Sequence, residues 1–131
     1  MRVVIDTNII IYYLYSNKME LDTFFMESTI CAPLFIQVEL GQVLWKLNKN
    51  SKKSQSSKIH NKLITALNLI DEFYSEAEIA KSAMDLSFTF DHSYYDSIFL
   101  ALAQNLNCPI FSYDKKILTI ANKLGIETID L

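Results

Sequence analysis

Val3-Val4-Ile5 is a continuous, β-branched, apolar run that ends abruptly at Asp6-Thr7-Asn8. Such a run reads as a short, fully buried strand. It puts a carboxylate at the carboxyl end of a central strand, where open α/β sheets bind their ligands. The same Asp6 also reads as the N-cap of the helix that follows. This motif alone does not separate the two readings, so the other acids have to be weighed.

Downstream, apolar periodicity alternates between strand and helix. Helical spacing is expected over 9–15, 19–28, 34–47, 59–70, from 76 through Leu86, 95–106 and 114–124, the last ended by Gly125. Pro33 suits the first position of the third helix. Short apolar runs at 29–31, 73–74, 109–112 and 127–129 read as further strands. The alternation predicts an α/β fold with a mainly parallel central sheet of four to five short strands flanked by helices. One domain over 1–131 is expected from the length, and half the residues are hydrophobic, which excludes disorder. Two glycines and two prolines leave little room for long irregular connections. No apolar run is long enough to span a membrane, and Asp6 and Asn8 interrupt the only leader-like stretch. A soluble, cytoplasmic protein is therefore expected.

Cys31 and Cys108 sit in apolar segments and read as small buried hydrophobes. With no closely spaced partners they do not make a zinc site. His60 and His92 lack metal-ligand neighbours and are expected on the surface or in loops. A net charge of −3 argues against a uniformly basic nucleic-acid binder. Yet no acid occurs between Glu39 and Asp71, where Lys46, Lys49, Lys52, Lys53, Lys58 and Lys62 supply half of the twelve basic residues. The Ser-, Lys- and Asn-rich stretch 48–57 is the one candidate for a mobile loop.

Four acids stand among apolar neighbours: Asp6, Glu39 on the third helix, Asp96 at the start of the most apolar helix, and Asp114 just after a strand. Each has a local explanation, as a cap, a first-turn acid favoured by the helix dipole, or a half-buried side chain reaching water. Together those explanations weaken, because two of the acids end parallel strands and share one edge of the sheet. Crowded carboxylates repel and are driven toward their protonated forms unless a cation joins them. An all-carboxylate set suits a hard ion, Mg²⁺ or Mn²⁺, and hydrolysis of a phosphodiester by metal-activated water.

Val-Ile-Asp-Thr-Asn at the start, Val-Glu-Leu in the third helix, Tyr-Tyr-Asp-Ser-Ile-Phe-Leu-Ala-Leu-Ala and Ser-Tyr-Asp-Lys-Lys-Ile-Leu together resemble a PIN domain. The resemblance is closest to the VapC-type toxins of toxin–antitoxin pairs and spans the whole chain in order. It implies a three-layer fold and an Mg²⁺- or Mn²⁺-dependent endoribonuclease, usually a homodimer, inhibited by a cognate antitoxin. The family's catalytic, metal-binding quartet falls on Asp6, Glu39, Asp96 and Asp114. Thr7, Asn8 and Ser112 fall where the family supports those carboxylates, Ser112 replacing the usual Thr. Lys115 and Lys116 stand where some relatives have a further acid, which leaves the ion count at one or two. The lysine-rich segment then becomes a candidate RNA contact through Lys46, Lys49, Lys52 and Lys53.

Two other readings stay open. One is a catalytically weak PIN-like module that acts by binding RNA or protein. The other, a phosphotransfer receiver, needs an acid pair after the first strand, and Asp6-Thr7-Asn8 does not supply it.

Overall fold

The computed structural model describes residues 1–52 and 55–131. Its centre is a four-stranded, wholly parallel sheet in the order β3-β2-β1-β4, made of β1 (Arg2–Ile5), β2 (Thr29–Pro33), β3 (Glu72–Tyr74) and β4 (Ile110–Phe111). Val3, Val4 and Ile5 are fully buried, as a strand covered on both faces requires. Val4 pairs with Cys31 on one side and Ile110 on the other, so β1 is interior.

Helices α1 (Thr7–Leu14), α2 (Met19–Glu27), α3 (Ile36–Asn48), α4 (Ser56–Asn68), α5 (Ala80–Phe90), α6 (Tyr94–Leu106) and α7 (Lys115–Leu124) fill the connections. The most apolar of them, α6, has seven consecutive buried residues, Ser97 to Ala103, and packs on β1, β2, β4 and α5. Burying each of Phe99, Leu100 and Leu102 is worth about 1.5–3 kcal/mol, so α6 anchors the core. Ser93 caps its start by accepting from the Asp96 amide at 3.2 Å, which fixes the turn that carries Asp96. Gly125 closes α7 at φ +73°, a conformation that glycine adopts without strain.

Three local expectations need correcting. Pro33 does not open a helix; it is the last residue of β2, and α3 begins at Ile36. Pro33 lies past the β1 pairing, which ends at Cys31, so its missing N–H leaves no β1 partner unpaired. The final strand shrinks to one bridge between Ile110 and Thr128, held by Ile110 N–H to Glu127 O and Ile129 N–H to Ile110 O. The segment from Glu76 starts as a single 3₁₀ turn, Glu76–Glu78, before α5 begins. Among the described residues no helix is long and apolar enough to cross a membrane.

Candidate active site

The chain passes from β1 to β2 and β3 on one side of the sheet, and later returns to place β4 on the other side of β1. The strand order therefore reverses between β1 and β4, which opens a crevice at their carboxyl ends. Asp6 follows β1 and Asp114 follows β4, so both stand at this crevice.

Asp6 is only 6% exposed. Its Oδ1 accepts the Thr7 amide at 2.8 Å, so it does cap α1. Its Oδ2 accepts the Ser112 hydroxyl at 2.6 Å, and Ser112 Oγ in turn accepts the Asp114 amide at 3.0 Å. One hydroxyl thus ties the two strand-end acids together. Asp114 caps α7 through Oδ1, which accepts from the Lys116 and Ile117 amides at 2.8 and 3.2 Å. Glu39, on the first turn of α3, accepts the Thr7 hydroxyl through Oε1. Asn8 Oδ1 accepts the Tyr113 amide at 3.3 Å and steadies the β4–α7 connection.

Asp6, Glu39, Asp96 and Asp114 all line one open cavity of about 510 Å³, together with Thr7, Asn8, Tyr12 and Tyr113. Burial pushes the Asp6 carboxyl up to about 6; Asp96 and Glu39 push the same way, and the Ser112 hydroxyl and Thr7 amide push against it. Glu39 also moves upward, first from burial, with Asp96 adding to it and the Thr7 hydroxyl opposing. Among the described residues no Lys or Arg stands within ion-pair distance of any of the four; only the His92 ring does, 3.0 Å from Asp96 Oδ2. The cavity therefore concentrates negative charge without a basic counter-charge.

The donor set tests what cation fits. Among the described residues no three His, Cys, Asp or Glu side chains are placed to clasp an ion directly. Several carboxylate oxygens are already engaged in fixing the backbone, while no hydrogen bond among the described residues occupies Glu39 Oε2 or Asp114 Oδ2. That suits Mg²⁺ or Mn²⁺, because a hard ion that keeps several waters needs few direct protein oxygens. A thiolate- and imidazole-seeking ion has no comparable set here.

The other candidate residues lie elsewhere. Lys49 and Lys52 line a separate cavity of about 460 Å³ between α3 and α4, beside Trp45, and Lys46 lines neither cavity. Lys53 lies outside the described residues. His92 is in a turn, but it is no surface residue: its side chain is 9% exposed and packs against Asp96. Its position four residues before Asp96, just ahead of the capping Ser93, is the signal that could have found it. Tyr12 and Tyr113 are further wall residues that the sequence reading missed; their rings meet edge to face at 5.4 Å. Cys31 is buried as expected, yet its thiol also donates to Glu72 at 3.3 Å, and Cys108 is only half-buried.

Comparison with known proteins settles the family, since the PIN domain family model matches residues 3–123. The chain belongs to the PIN-domain family. No curated protein sequence matches this PIN domain. Among solved structures, VapBC2 from Rickettsia felis bound to a DNA fragment from its promoter is similar with a TM-score of 0.72 at 19% identity, covering 98% of each chain. VapBC-1 from nontypeable Haemophilus influenzae gives 0.74 at 14% identity, over 99% of this chain and 98% of that one. FitAcB from Neisseria gonorrhoeae gives 0.63 at 14% identity, over 98% and 96%. At these identities the likeness establishes the PIN fold.

Proposed function

We propose that this PIN domain, folding as one unit over residues 1–131, is a metal-dependent endoribonuclease of the VapC toxin type. The observation that carries the reading is a single one: four carboxylates, from the end of β1, from α3, from α6 and from the β4–α7 connection, share one cavity with no Lys or Arg partner among the described residues. Asp6, Asp96, Asp114 and Glu39 would hold one or two Mg²⁺ or Mn²⁺ ions. Such ions supply an activated water and stabilise the leaving oxygen of a phosphodiester.

The chain's own residues prepare the site. Ser112 holds Asp6 and the Asp114 backbone in one register, so the two strand-end acids cannot drift apart. Thr7 fixes one oxygen of Glu39, a residue of the cavity wall, and leaves the other without a hydrogen bond among the described residues, free to orient a water for attack. Asp96 is placed by the capped first turn of α6, with the His92 ring 3.0 Å from its Oδ2. The similarity to VapBC and FitAcB supports a cognate antitoxin as partner; the working form in this reading is a cytoplasmic homodimer.

Cleavage of defined tRNAs with Mn²⁺, with EDTA, and by Asp96→Asn tests this reading. Cleavage is expected with Mn²⁺ alone and is abolished in the variant, whose fold circular dichroism shows to be intact. An Asp96→Asn protein that cuts at the wild-type rate refutes the assignment. The alternative is a catalytically weak PIN-like module that acts by binding RNA or protein. That protein binds RNA equally in EDTA and fails to cut it with Mn²⁺.

A further inference from the structure

A third cavity, of about 340 Å³, adjoins the acidic one and carries the opposite charge. Lys115, Lys116 and Lys123 of α7 line it, together with Phe90 at the end of α5 and His92 just after it. Two links join the cavities. His92 lines the basic one and lies 3.0 Å from Asp96, which lines the acidic one. Asp114 lines the acidic cavity and caps the helix whose next two residues are Lys115 and Lys116.

These lysines are more than an ordinary solvated face. Lys115 and Lys116 occupy the first turn of α7, the positive end of the helix dipole, where cations are locally disfavoured. Helix α7 contains no acid to pair with them, and among the described residues none of the three lysines has a carboxylate within ion-pair distance. Lys123 lies over the Phe90 ring at 6.0 Å, so the far end of the groove is also arranged. Asp91 is the one acid on the lining. A chain of phosphates approaching four carboxylates is repelled unless cations hold it alongside, and this groove places three there.

We propose that the α7 groove, through Lys115, Lys116 and Lys123, binds the backbone phosphates of the RNA next to the one cut in the acidic cavity. The inference rests on the nuclease reading for the direction of the strand, but its test does not need cleavage. Anisotropy of a fluorescein-labelled single-stranded RNA is titrated in EDTA over a range of salt. Lys115→Gln/Lys116→Gln/Lys123→Gln is compared with wild type and with Lys46→Gln/Lys49→Gln/Lys52→Gln. Single-stranded binding loses about 0.7 of log–log salt slope per phosphate contact removed. The α7 variant is therefore expected to flatten the slope by about 2 and to bind more weakly, whatever the α3-side variant does. An α7 variant with wild-type affinity and slope overturns the groove, as does a wild type that does not bind RNA at all. Tight, salt-dependent binding that the α7 variant loses, without cleavage in Mn²⁺, keeps the groove and defeats only the nuclease reading.

Discussion

Replacing Asp6 with Asn should stabilise the metal-free protein at neutral pH, an unusual result for a polar residue that is 6% exposed. The Asp6 carboxyl rises from an ordinary 3.8 to about 6, chiefly through burial and then through Asp96 and Glu39. The folded state therefore holds that proton more tightly than the unfolded chain does. Its contribution to stability is complete below the unfolded value and is lost as pH climbs past about 6. By neutral pH the loss amounts to roughly 3 kcal/mol. Asn keeps the volume and removes the charge, but it cannot accept both the Thr7 amide and the Ser112 hydroxyl, which returns about 1 kcal/mol. A net gain of about 1–2 kcal/mol should raise Tm by roughly 3–8 °C. Thermal unfolding in EDTA measures it, with the gap closing as the pH is lowered to about 4. Added Mg²⁺ should raise the wild type and leave the variant nearly unmoved. If Asp6→Asn melts below wild type at neutral pH in EDTA, or the gap ignores pH, the account of the buried charge is wrong.

Other expectations test the frame around that carboxylate. Ser112→Ala removes the donor to Asp6 and the acceptor for the Asp114 amide, and should cost about 1–3 kcal/mol in urea unfolding. Thr at that position should recover most of the loss. Leu100→Ala, in the fully buried middle of α6, should cost about 2–5 kcal/mol by the same measurement. The Cys31 thiol is pushed up to about 12 by burial and by Glu72. It should resist iodoacetamide in the native protein and label fully in denaturant; rapid native labelling seen by peptide mass spectrometry would contradict the packing.

Much of this was readable because the decisive residues carry local signals. Val3 to Ile5 could only be an interior strand, and the run through Ala103 could only be a helix buried on several sides. Pro33 misled because its ring suits a helix start and a strand end equally, and the β1 pairing that ends at Cys31 is not a local property. The 127–129 strand was over-read because its apolar pattern says nothing of how little of β4 remains to pair with. His92 looked idle in sequence; its contact arises only when the turn ahead of α6 folds the ring back over Asp96. The placement of Lys49 and Lys52 away from the acids depends on how α3 and α4 pack, which composition cannot encode.

Strand β1 leads the described elements in sequence yet is flanked on both sides only once β4, more than a hundred residues further along, pairs with it. One wall of the crevice, and the acid that stands on it, thus come from the opposite end of the described residues to the other wall. The acidic crevice is therefore a long-range property of the fold: a fragment that stops short of β4 and Asp114 keeps Asp6 and Glu39 but has no far wall to set them against.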